Sequence, residues 1–139
     1  MELHIRPATA ADLHFLASHD RHITRQELRY AVERERVLLA DWEGKPCGRL
    51  RYNLFRDNTP FMNLLYLLEP YRGMGVGRAL TLHWEAAMAA RGHRTEMLST
   101  AADEYAQHFY TKLGYTAIGG FTLPGDPYEL IFSKNLAED

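Results

Sequence analysis

Between Phe61 and Gly92 the sequence passes from an almost unbroken apolar stretch, through a glycine-rich loop, into a helical repeat. Phe61 to Leu68 reads as a central strand covered on both faces. Pro70 ends it, because proline has no N–H to give a ladder. Arg72-Gly73-Met74-Gly75-Val76-Gly77 follows. Val76, Leu80, Trp84, Ala87 and Arg91 then recur at helical spacing, with Gly92 as the C-cap. Such a unit brings the next strand, Thr95 to Ser99, back beside the first by a crossover. The chain is thereby committed to a mixed α/β architecture.

The loop is also the strongest chemical signal. Its glycines let a ligand approach the backbone closely, and free N–H groups at a helix start attract an anion, aided by the helix dipole. A phosphate-bearing ligand is the natural occupant. Two nucleotide-binding patterns fail on inspection: Gly77-Arg78-Ala79 lacks the Lys-Ser/Thr of a Walker loop, and the third glycine of a dinucleotide fingerprint falls on Arg78 or Leu80.

The flanking segments complete the outline. Leu3 to Arg6 reads as a strand, and Thr9 or Asp12 caps a first helix bearing Leu13, Leu16 and Ala17. Thr24 with Glu27 forms a capping box for a second helix. Val37 to Ala40 is a compact apolar strand, and Glu43 to Pro46 a turn. Gly48 to Phe55 alternates, with Leu50, Tyr52 and Leu54 on one side and Arg49, Arg51 and Asn53 on the other, which predicts a strand with one wet face. Asp103 caps a helix ending at Gly114, and strands follow at Tyr115 to Ile118 and Tyr128 to Ser133. No repeat or linker interrupts residues 1–139, so one domain is expected.

Charge and composition remove several functions. Acids outnumber Lys and Arg by 18 to 16, a net charge of −2, so no bulk basic footprint exists for nucleic acid or an anionic membrane. No apolar run approaches the roughly 20 residues that cross a bilayer, and the amino terminus has no signal-peptide pattern; a cytoplasmic protein is expected. Cys47 is the only cysteine and reads as a packing residue, which excludes an internal disulfide or a thiolate metal site. No histidine and carboxylate set has zinc spacing, and His19 with His22 reads as a helix end, so no metal is expected.

Arg72-Gly73-Met74-Gly75-Val76-Gly77 resembles the Arg/Gln-x-x-Gly-x-Gly/Ala signature of the GNAT superfamily of acyl-CoA-dependent N-acetyltransferases. The segment Asp103 to Tyr115 is similar to that family's helix of the form Asn-x-x-Ala-x-x-hydrophobic-Tyr-x-Lys-hydrophobic-Gly-Phe/Tyr. The resemblance implies a GNAT-like fold: a mostly antiparallel, splayed sheet of about six to seven strands flanked by about four helices. Acetyl-CoA would lie in the gap between the two central strands. Backbone amides from Arg72 through Met74, Gly75 and Val76 to Gly77, with Arg78 beside them, would hold its pyrophosphate. Leu67 and Leu68 would offer their main chain to the pantetheine arm. Tyr110 falls on the general-acid position, also touching the cofactor. Asp103 takes a cofactor-binding position where asparagine is usual; aspartate still caps the helix but meets the cofactor only as a hydrogen-bond acceptor.

Acetyl transfer to an amine needs an uncharged amine, a polarised thioester and a proton for the departing thiolate. Tyr110 suits the last, because a phenol's pKa lies near that of a thiol. Glu69, at the end of the central strand, is the candidate base through a water, and His108 points away from Tyr110 on its helix. Asp57 and Glu129 are candidates to attract a cationic amine, and Tyr52 and Tyr66 to line the acceptor pocket, while Phe61 reads as core. The expected activity is transfer from acetyl-CoA to a primary amine of a small molecule or peptide in a ternary complex. The alternative is a non-catalytic acyl-CoA-binding module of the same fold. Exposed strand edges make a homodimer plausible.

Overall fold

A computed structural model of the chain describes residues 2–20, 23–102 and 105–136. The strands are β1 (Leu3–Pro7), β2 (Val37–Trp42), β3 (Lys45–Phe55), β4 (Thr59–Leu67), β5 (Thr95–Ala101), β6 (Thr116–Phe121) and β7 (Glu129–Asn135). The helices are α1 (Leu13–Ser18), α2 (Arg25–Glu33), α3 (Val76–Ala90) and α4 (Ala106–Lys112). They build a seven-stranded sheet in the order β1-β2-β3-β4-β5-β7-β6. All neighbours are antiparallel except β4 and β5, whose parallel pairing follows from the α3 crossover.

Prolines explain where strands outrun the sequence expectation. Pro7 stays in β1 because β1 is an outer strand and needs no inward donor there. Pro46 pairs with Asp41 beside a register shift between Ala40 and Asp41, so β3 starts at Lys45 rather than Gly48. The β3–β4 connection is tighter than expected: only Arg56, Asp57 and Asn58 separate the paired ends Phe55 and Thr59, and Arg56 and Asp57 both adopt positive φ.

The main core lies under α3. Val76, Leu80, Trp84 and Met88, one turn apart, are buried against Leu38, Leu50, Tyr52, Met62 and Leu98 of the sheet. Each such side chain contributes roughly 1.5–3 kcal/mol. The other face of the sheet carries a second cluster in which Leu16, Leu28 and Val32 of α1 and α2 meet Val37 and Leu39. This corrects the wet face expected for β3. Arg49 is only 2% exposed, and Arg51 is held by Asp20 at 3.0 and 3.2 Å. Two helices from the amino-terminal quarter cover that face.

Behind α3 sits a buried polar chain that sequence reading did not anticipate. The Tyr115 hydroxyl lies 2.8 Å from Glu85 and 3.2 Å from Glu96, and Lys134 donates to Glu85 at 2.8 Å and to the Leu113 carbonyl at 2.7 Å. One phenolic proton serves one carboxylate, so the second contact needs a proton on Glu96. Burial, reinforced by the Glu85 charge, pushes Glu96 up to about 8. The native state therefore keeps a proton that the unfolded chain releases above pH 4.5. The stability it contributes is complete below that pH and is lost as pH rises through about 8. Melts at pH 5 and pH 8.5 should show wild type losing on the order of 4 kcal/mol more than Glu96→Gln over this interval. Parallel losses in the two proteins would remove Glu96 from the account.

Candidate functional site

β4 and β5 pair at only two positions, Phe61 with Met97 and Met62 with Leu98. Beyond Met62 the strands part, and Asn63 to Leu67 leave β5 altogether. The split opens into a groove of about 390 Å³ walled by Leu65, Tyr66 and Leu67 of β4, the glycine loop and Phe109 of α4.

The loop's glycines have separable tasks. Gly73 (φ +75°) and Gly75 (φ +87°) turn the chain through the left-handed region, which side chains resist. Gly75 caps α3, and the first helical bond runs from the Ala79 amide to its carbonyl at 3.0 Å. The amides of Val76, Gly77 and Arg78 consequently have no acceptor within the helix. Gly77 clears the groove: a Cβ there would stand 3.6–3.7 Å from Leu67, Leu65 and Phe109. Val76 is fully buried and Met74 exposed, and neither is on the groove wall. Arg78 lies on the wall. Arg72 folds back, its Nε donating to the Leu67 carbonyl at 2.9 Å with its guanidinium 5.5 Å from the Tyr66 ring centre. Leu68 is fully engaged elsewhere, donating to Cys47 and accepting from Tyr71, both at 2.9 Å.

Tyr110 lies at the closed end of the split. Its hydroxyl is 3.6 Å from the sulfur of Met62, the last β4 residue paired to β5, and its ring packs edge-on against Phe109 and Tyr115. It is buried, and Phe109, one residue earlier, forms the wall instead. Sequence reading passed over Phe109 because the motif marks it only as hydrophobic. It also passed over Gly48, where a Cβ would overlap the Leu67 side chain. Asp103 lies outside the described residues, as does His22.

The other candidates disperse. Glu69 opens an exposed turn past β4 and is absent from the groove wall. Asp57 is exposed in the β3–β4 hairpin turn, and Glu129 is half-buried at the start of β7, opposite Ala101 and Phe121. Tyr52 is a core residue against Trp84, its hydroxyl accepting from Arg91 at 3.2 Å, and burial pushes its pKa up. Tyr66 does line the groove, while Arg49 and His19 approach its ring. Cys47 is buried, which raises its thiol pKa as expected of a packing residue.

On the α1–α2 face a second, polar cleft of about 330 Å³ lies between α2 and the β3–β4 hairpin, with Arg34, Arg36, Arg51, Asn53 and Asn63 among its walls. Two residues before Arg51 on β3, Arg49 has no hydrogen bond on any guanidinium nitrogen among the described residues, and burial lowers its pKa.

Comparison with known proteins fits this geometry. The model of the acetyltransferase (GNAT) family matches residues 5–115. No curated protein sequence matches the chain. Among solved structures, Ard1 from Thermoplasma volcanium superposes with a TM-score of 0.86 at 17% identity, covering 99% of this chain and 100% of that one. PaiA N-acetyltransferase from Thermoplasma acidophilum, in complex with coenzyme A, gives 0.80 at 20% identity over 97% and 99%. The ribosomal-protein-S18-alanine N-acetyltransferase of Escherichia coli gives 0.83 at 18% identity over 99% and 96%.

Proposed function

The chain belongs to the acetyltransferase (GNAT) family, and we propose that it transfers the acetyl group of acetyl-CoA to a primary amine of a small molecule or peptide by direct attack in a ternary complex. The observation that carries this reading is the split between β4 and β5, with bare helix amides and Arg78 at its mouth and the Tyr110 hydroxyl at its closed end. A diphosphate suits the mouth and a thioester the far end. That a protein of the same fold is seen with coenzyme A supports the same donor here.

In the reaction the amine nitrogen bonds to the thioester carbon, the carbon–sulfur bond breaks, and the sulfur takes the Tyr110 proton. The attacking nitrogen gives its own proton through a water to Glu69, exposed beyond β4, and on to solvent, from which Tyr110 regains the proton it gave. Self-association belongs to the same reading. Its support is the outer strand β6, where Ile118 and Phe121 are exposed.

The test is thiol release from acetyl-CoA against a panel of primary amines. Release that depends on an added amine is expected. Stabilisation by acetyl-CoA without release for any amine would make the protein a binding module instead.

A further inference from the structure

We propose that the acceptor is an anion: an amine carrying a carboxylate, such as an amino acid or the end of an acidic peptide, held on the α1–α2 face of the sheet by Arg49 and the adjoining arginine-lined cleft. The inference rests on the acetyl-transfer reading and names the substrate class.

Two independent observations support it. Arg49 is 2% exposed, and all of its guanidinium nitrogens lack a hydrogen-bond partner among the described residues. A buried cation left so is a standing penalty, which persists where a function uses it. The nearest carboxylate, Asp20, is instead bonded to Arg51 through both Nε and Nη2. The second observation is the cleft itself, lined by Arg34, Arg36 and Arg51 against the single acid Glu27. Arg36 is half-buried with no side-chain hydrogen bond or ion pair among the described residues. Three arginines therefore line the cleft with one carboxylate, Glu27, while Asp20 serves Arg51 and leaves Arg49 without a hydrogen bond among the described residues, in a chain whose net charge is −2.

The position suits an acceptor. Arg49 and Arg51 are alternate residues of β3 and so share a face. Arg51 borders the cleft, while Arg49 pairs across to Tyr66, whose ring lines the groove on β4. Met62 faces Tyr110, and the next residue, Asn63, faces the cleft. An anion anchored between cleft and groove thus brings its amine to the place where the strands part. A guanidinium is planar and matches a carboxylate in two parallel bonds. A volume of about 330 Å³ admits an amino acid or a short peptide end.

The experiment uses the full chain with acetyl-CoA and amines paired to differ only in carboxylate or carboxamide, such as γ-aminobutyrate with its amide and glycylglutamate with glycylglutamine. In the pairs that are acetylated, the carboxylate member should have a kcat/KM at least about tenfold higher, since each tenfold step is 1.4 kcal/mol of discrimination. That preference should fall below about threefold in Arg49→Met, which should melt no lower than wild type because it removes a buried unpaired charge. Arg36→Gln, on the cleft wall, should erode it in the same direction and serves if Arg49→Met does not fold. Carboxamides acetylated as fast as their acids would overturn the anionic acceptor while leaving acetyl transfer intact. If no amine is acetylated, the transfer reading fails and glutarate alone judges the cleft. A rise in melting temperature with millimolar glutarate, lost in Arg49→Met, supports the anion site, and no rise overturns it.

Discussion

Gly77→Val should weaken acetyl-CoA binding by about a hundredfold, or ~2.7 kcal/mol, while the protein still folds. The position tolerates a side chain as far as the backbone is concerned: Gly77 is an ordinary helical residue, without the positive φ of Gly73 and Gly75. A Cβ makes only van der Waals contact with Leu65, Leu67 and Phe109. The methyl groups beyond it must occupy the groove those residues enclose. Gly75→Ala is the informative contrast, because its Cβ meets nothing and the change acts through left-handed strain of roughly 1–2 kcal/mol. Calorimetric titration with acetyl-CoA, beside a thermal melt, separates the two. Wild-type affinity in Gly77→Val would mean that the donor binds elsewhere.

The second large effect belongs to Tyr110→Phe, which should lower kcat by about 10²-fold or more, the usual worth of a positioned proton donor. Donor affinity should change less than about twofold, since Tyr110 is not on the groove wall. Phenylalanine keeps the edge-on contacts with Phe109 and Tyr115 and gives up a bond to the Met62 sulfur, a weak acceptor. The fold should therefore survive, and a loss of turnover would report chemistry. An unchanged kcat would leave Tyr110 as a core aromatic and the thiolate to be protonated by solvent.

What could be read from the sequence follows the range of the interactions involved. The apolar run of β4, the left-handed glycines and the α3 repeat are close in the chain and governed by local rules, so strand, loop and helix were all legible. The pairing of β4 with β5 was likewise implied by their crossover. Arg49 shows where that reasoning stops. Alternation in β3 states that two faces differ, and a row of arginine and asparagine reads as the one facing water. Only α1 and α2, which end well before β3 begins, decide that this face is covered. The exposure of Glu69 has a different cause: Pro70 and Tyr71 continue into a tight turn that leaves the carboxylate in solvent. Tyr110 and Phe109 illustrate the finest scale, since neighbours on a helix point about 100° apart and the groove selects between them by tertiary position.

The short seam between β4 and β5 has a mechanical consequence. Two residue pairs join a four-stranded half of the sheet to a three-stranded half, so the halves are fastened near one end and free at the other, like a clothes peg. A donor clasped between β4 and the start of α3 would act as the missing rung, and amide hydrogens of residues 63–67 should exchange with solvent more slowly once it is bound. Each catalytic cycle would then stiffen and relax the join between the two halves.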